Sequence, residues 1–167
     1  MKRIRAAVIT VSTRGAQGER KDESGPALRD GLVAAGAEIV YDDLIPDDVE
    51  RVARSITAAV SAGANVVLTS GGTGLSPNDV TPEATRSVIE REVPGIAEAL
   101  RGESRRHTPH GMLSRGLAGA IGHALVVNLP GSPKAARESL EVLIPVLPHA
   151  VELLAGESGE AGHRANA

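Results

Sequence analysis

Short apolar runs rich in β-branched residues recur along this chain, and segments of helical character separate them. Ala6-Ala7-Val8-Ile9-Thr10-Val11, Asn65-Val66-Val67-Leu68-Thr69 and Ala124-Leu125-Val126-Val127-Asn128 show little polar alternation. They read as strands buried on both faces, as parallel sheets require. Glu38 to Asp43 reads as a further strand. Gly25-Pro26 opens a helix to about Ala35, closed by Gly36. Pro46-Asp47-Asp48 precedes Val49, Val52, Ala53, Ile56, Ala59 and Val60, an amphipathic spacing with an Asp as cap. Thr81-Pro82-Glu83 reads as a helix start with a hydroxyl cap, and Pro94-Gly95 begins a segment ending near Gly102. Glu103 to Gly111 is polar and reads as a mobile loop. Ser132 caps and Pro133 opens a last helix to about Leu154. Alternation of this kind implies right-handed βαβ crossovers and a three-layer αβα sandwich around a mostly parallel sheet. One domain over residues 1–155 is expected, with 156–167, rich in Gly, Ala and polar residues, as a disordered tail.

Composition narrows the function. With 41% hydrophobic and 23% charged residues over 167 positions, the chain is long enough to bury a sizeable core. One Tyr and no Phe or Trp leave no stacking platform for single-stranded nucleic acid, and a net charge of −3 without a basic block argues against phosphate-backbone binding. The absence of cysteine excludes disulfides, thiolate catalysis and Cys-based zinc sites. No apolar run approaches the roughly 20 residues of a membrane span, and the run after the basic start is too short for a signal peptide, so a cytoplasmic location is expected.

In open parallel sheets, ligands bind beyond the carboxyl ends of the strands. Three strands here run into polar loops, Ser12-Thr13-Arg14, Ser70 to Asp79, and Asn128 to Lys134, which are expected to converge. Gly71-Gly72-Thr73-Gly74 suits an anion-binding concavity of backbone amides, or else a plain strand-to-helix turn. It lacks the Gly-Lys-Ser/Thr of a phosphate-binding P-loop, and no G-x-G-x-x-G follows the first strand. Gly131-Ser132-Pro133-Lys134 joins a helix start to a lysine, suiting an anion site or simple capping. Asp47 and Asp79 read either as helix-terminal residues or as carboxylates that recruit Mg²⁺ to phosphates, with Asp22 a third candidate. His107 and His110 form an H-x-x-H better read as exposed histidines than as metal ligands. Arg115 reads as a phosphate contact or as the partner of a surface acid.

Several motifs then occur in one order: Thr69 to Gly74, Asp79-Val80-Thr81-Pro82-Glu83-Ala84-Thr85, Glu92-Val93-Pro94-Gly95, Met112-Leu113-Ser114-Arg115 and Asn128 to Lys134. Ser12-Thr13-Arg14, Asp22-x-Ser24-Gly25 and Ile45-Pro46-Asp47-Asp48 accompany them. In this order the chain resembles, from about Arg5 to Leu154, the molybdopterin-binding family of molybdenum-cofactor biosynthesis, the Mog/MoaB-like proteins and the G domain of gephyrin. The resemblance implies an adenylyltransferase that joins AMP from ATP to molybdopterin with Mg²⁺ and releases pyrophosphate, usually as a homotrimer. It implies Asp47 and Asp79 as the catalytic and metal-binding acids. It implies substrate contacts from Ser12, Asp22, Ser70, Gly71, Gly72, Thr73 and Gly74, and from Ser114, Arg115, Asn128, Pro130, Gly131, Ser132 and Lys134. Many relatives carry Arg where this chain has Asn78. A binding relative without transferase activity, or an oligomeric scaffold module, are the alternative readings.

Overall fold

The computed structural model describes residues 3–156. The tail expected to be disordered lies, beyond Gly156, outside the described residues. Six strands form one sheet in the order β2-β1-β3-β6-β5-β4: β1 (Arg5–Val11), β2 (Glu38–Ile45), β3 (Val66–Ser70), β4 (Arg91–Glu92), β5 (Ala118–Ile121) and β6 (Ala124–Leu129). The first three and β6 are mutually parallel, with Thr10 aligned to Ser70 and Ser70 to Leu129. The three-layer expectation holds.

Strand alternation sorts the core into two halves. Ala6 and Val8 of β1 and Val66 and Leu68 of β3 face a cluster with Leu28 and Leu32 of α2 (Ser24–Ala34), Leu140 and Leu143 of α6 (Pro133–Leu143), and Val151 of α7 (Leu147–Leu154). Ala7 and Ile9 of β1 and Val67 of β3 face Val52 and Ile56 of α3 (Val49–Ser61) and Ala84 of α4 (Thr81–Val88). Both faces are covered, which is why these strands carry no polar alternation. α1 (Thr13–Ala16) is a single turn directly after β1.

Two expectations need correction, and two strands come in addition. Glu103 to Gly111 is not a loop: α5 runs from Pro94 to His107 and a 3₁₀ helix follows at Pro109–Leu113. Glu103 pairs with Arg106 and His107 one turn on, and the basic end Arg105-Arg106-His107 complements the helix dipole. The last helix is two, α6 and α7, interrupted at Ile144-Pro145-Val146, since Pro145 has no amide to continue the helical ladder. Finally, β4 and β5 were not legible as strands. They add an antiparallel margin, β5 to β6 through a tight hairpin and β4 to β5.

The crossover from β1 goes to one side into β2 and the next, from β2 through α3, passes back over β1 into β3, so the order reverses between β1 and β3. A topological switch point lies there, at the carboxyl ends of the two strands.

Candidate active site

At that switch point the turns after β1, β2, β3 and β6 enclose one cavity of about 380 Å³, lined among others by Ser12, Asp22, Asp47, Gly72, Asp79 and Gly131. Residues far apart in sequence meet because each follows a parallel strand ending at the same rim. Ser70, Gly71 and Ser132 line it as well.

The glycine turn is built by close approach. Gly71 has φ +104°, and a Cβ there would sit 2.3 Å from the Val11 carbonyl oxygen. Gly72 has φ +65°, and its Cβ would meet the Thr81 hydroxyl at 2.4 Å. Both positions require glycine. The Gly71 amide donates to the Leu129 carbonyl at 3.0 Å and the Ser70 hydroxyl to the Pro130 carbonyl at 3.0 Å, which locks the β3 turn to the β6 turn. Gly71 therefore offers no amide to a ligand. Those of Gly72, Gly131 and Ser132 donate to no acceptor among the described residues. Thr81 does not cap α4 as expected; its hydroxyl donates to the Gly71 carbonyl at 2.9 Å and its amide to the Gly72 carbonyl at 3.1 Å.

The two acids are released from capping. α3 is capped by Asp48, whose Oδ1 accepts the Arg51 amide at 2.8 Å, leaving Asp47 to face the cavity. Asp47 Oδ2 accepts both the amide (2.9 Å) and the hydroxyl (2.8 Å) of Thr13, while the Asp47 amide donates back to that hydroxyl at 3.0 Å. Asp79 Oδ2 accepts the Ser76 amide at 3.2 Å, and α4 begins without a side-chain cap. In each acid Oδ1 accepts no hydrogen bond among the described residues. Asp22 also lines the cavity, but both its oxygens are engaged, with the Thr10 hydroxyl at 2.9 Å and the Gly25 amide at 2.9 Å.

Other expected residues stand elsewhere. Lys134 is 80% exposed, pairs with Glu138 at 3.7 Å on its own helix, and does not line the cavity. Ser132 does cap α6, accepting the Ala135 amide at 3.2 Å. Thr73 and Gly74 do not line the cavity, the latter lying against the Asp79 carboxylate. Asn128 is buried, donating to the Thr69 and Thr85 hydroxyls and accepting the Leu117 amide, so its amide group is fully used inside the fold. Ser114 and Arg115 border a separate cavity of about 290 Å³ with Arg86 and Arg101, and Pro130 lies with Ser114 in a small adjoining cleft. Arg115 pairs with the surface acid Glu83 and donates to the carbonyls of Gly74 (2.8 Å) and Asp79 (2.7 Å), stapling both ends of the acid-bearing loop. That hydrogen bond from Arg115 holds the Glu83 carboxyl below its ordinary value of 4.5. His107 lies between Glu103 and Glu138 and is partly exposed, and no set of three His, Cys, Asp or Glu side chains among the described residues suits a metal ion alone. Sequence reasoning missed Arg20 and Lys21 as lining residues and Thr13 as the holder of Asp47. Their only signal was position, in the segment directly after β1.

Residues 7–149 match a family model described as "Probable molybdopterin binding domain". The chain is 39% identical to the molybdenum cofactor synthesis protein cinnamon of Drosophila melanogaster, over 92% of this chain and 26% of that protein. It is 36% identical to the molybdopterin adenylyltransferase of Pyrococcus furiosus, over 90% of this chain and 94% of that protein. The solved structure of the molybdopterin biosynthesis enzyme MoaB of Thermus thermophilus superposes with a TM-score of 0.86 at 47% identity, covering 92% of this chain and 97% of that one. Of four longer relatives, including the Drosophila protein, the chain spans between 22% and 49%.

Proposed function

Since this chain belongs to the molybdopterin-binding family of molybdenum-cofactor biosynthesis, we propose that it is a molybdopterin adenylyltransferase acting at the β1/β3 rim. The observation that carries the reading is the pairing, in one cavity, of two partly free carboxylates with three unengaged backbone amides. In the reaction, a terminal phosphate oxygen of molybdopterin forms a bond to the α-phosphorus of ATP. The bond from that phosphorus to the bridging oxygen breaks, and pyrophosphate leaves with the electron pair. No covalent enzyme intermediate is needed, so positioning and charge stabilisation are most of the catalytic work.

The chain's own groups suit that work. The amides of Gly72, Gly131 and Ser132 bind phosphate oxygens, and the cavity between β1 and β3 brings donor and acceptor phosphates together. A phosphate-bound Mg²⁺ takes one or two carboxylates and completes its shell with phosphate oxygens and water rather than a closed protein cage. Asp47 and Asp79 fit that requirement, each keeping Oδ1 free on the same cavity while Oδ2 is held by its own loop. Bound there, the ion would neutralise phosphate charge. As parts of the same reading we place the protein in the cytoplasm, where ATP is at hand, and as a homotrimer. Leu75, in the acid-bearing loop, and Met112 and Leu113, shortly before Arg115 in the chain, are left 65%, 58% and 48% exposed and offer apolar surface for such association.

Purified protein supplied with ATP, Mg²⁺ and molybdopterin tests the proposal through pyrophosphate release. Release should depend on molybdopterin and fall about 100-fold or more in Asp79→Ala, the scale set by loss of a transition-state contact. Molybdopterin binding without release would leave a binding relative, and no pterin binding would leave a scaffold.

A further inference from the structure

Four carboxyl side chains, those of Asp22, Glu23, Asp47 and Asp79, line the cavity in which two anionic reactants are to meet. Such a site gains from positive side chains beside any bound ion. Lys134 does not supply one, being directed to Glu138 outside the cavity, and Arg115 is engaged by Glu83 and two carbonyls. Arg86 pairs with Glu92, and Arg101 donates to the Gly116 carbonyl at 2.8 Å. Two basic side chains line the cavity, Arg20 and Lys21, and neither has an ion-pair partner among the described residues.

Their segment is held on both flanks. The amides of Glu19 and Arg20 donate to the Arg14 carbonyl at 2.9 and 3.2 Å. On the other side, Asp22 is fixed by Thr10 and Gly25. The full engagement of Asp22 thereby acquires a purpose: it secures the turn that carries the two cations to the rim. A guanidinium fork and an ammonium side by side suit a chain of phosphates, the first gripping two oxygens and the second acting as a point charge.

We propose that Arg20 and Lys21 bind the phosphates of ATP that depart as pyrophosphate, a role resting on the adenylyltransferase reading. Negative charge gathers on that group as the bond to the α-phosphorus breaks, so both cations hold it more tightly in the transition state than in the bound substrate. They make and break no covalent bond.

The test uses the full chain with Arg20→Gln, Lys21→Gln and both together. Calorimetry with Mg²⁺-pyrophosphate and with AMP is run beside turnover of ATP and molybdopterin. Each single change should weaken pyrophosphate binding about tenfold and the double change about thirtyfold or more, the scale of lost charge-assisted hydrogen bonds at an exposed rim. AMP, which lacks the departing phosphates, should bind the double variant within about threefold of wild type. Turnover should show a raised KM for ATP and a lowered kcat, and added salt should weaken pyrophosphate binding less in the double variant. Pyrophosphate affinity unchanged in the double variant, AMP affinity falling in step with it, or no pyrophosphate binding by the wild type would each overturn the assignment. A wild type that binds pyrophosphate but never releases it from ATP would refute the transferase reading, while the calorimetric arm still decides the role of the two cations.

Discussion

Replacing Thr13 by Val removes one hydroxyl while keeping the side chain's shape, and that hydroxyl is one of the two groups of Thr13 that aim Asp47. It donates to Asp47 Oδ2 at 2.8 Å and accepts the Asp47 amide at 3.0 Å; the separate bond from the Thr13 amide at 2.9 Å remains. A hydrogen bond to a charged group contributes about 1.5–3 kcal/mol and a neutral one about 0.5–1.5 kcal/mol. The site is only part-buried, so water replaces some of the loss, and a net cost of about 2 kcal/mol is expected. For a domain of this size that lowers Tm by roughly 4–8 °C. Catalysis should suffer separately. With one of two tethers gone, the Asp47 carboxylate leaves its productive position part of the time, and kcat should fall about tenfold with little change in the KM for ATP. Thr13→Ser restores the hydroxyl and should recover most of kcat even where Tm stays low. Pyrophosphate release under saturating substrates, paired with thermal unfolding, reads both effects. A Val variant that unfolds earlier yet keeps kcat within about twofold of wild type would refute the claim that this hydroxyl positions a catalytic acid.

Three further outcomes follow from the same geometry. Gly71→Ala forces an L side chain to φ +104° and drives its Cβ against the Val11 carbonyl, so stability should drop by at least about 2 kcal/mol in urea unfolding; a loss below about 0.5 kcal/mol would show that the turn yields freely. The Glu83 carboxyl is held below its ordinary value by Arg115, so its stabilising contribution is complete above about pH 4.5 and is lost as pH falls through the lower folded value. Glu83→Gln should therefore flatten the stability profile below pH 4.5, and a profile parallel to wild type in that range would contradict the pairing. Lys134→Ala should leave the KM for ATP within about twofold of wild type, since its ammonium lies outside the cavity; a tenfold rise would return the cationic role to it.

The parallel core of the sheet was legible because doubly buried strands leave unbroken apolar runs, as in β1, β3 and β6. The β4 and β5 margin was not, because Arg91-Glu92 and Ala118 to Ile121 are too short and too small-chained to signal a strand. The extension of α5 through Glu103 to His107 was hidden by its polarity, since its order comes from side-chain pairing and dipole complementarity rather than from an apolar stripe. At the site, glycines and aspartates marked the rim because turns at strand ends demand them. What each side chain does there depends on partners distant in sequence. Whether Asp47 or Asp48 caps α3 turned on the hydroxyl of Thr13, 34 positions away. Asn128 stood in a motif that pointed to substrate, yet it ties β6 to β3 through Thr69 and to α4 through Thr85, which no local pattern reveals. Lys134 looked like the site's cation because it followed a glycine turn, but the register of α6 sends it toward Glu138.

A crystal structure with the non-cleavable analogue α,β-methylene-ATP and Mg²⁺ bears most directly on the claim that the β1/β3 rim gathers the reacting phosphates. Phosphate density against the amides of Gly72 and Gly131, flanked by Asp47 and Asp79, is the expected result. Phosphates seated instead among Arg86, Arg101 and Arg115, with the glycine-lined cavity holding only water, would contradict it.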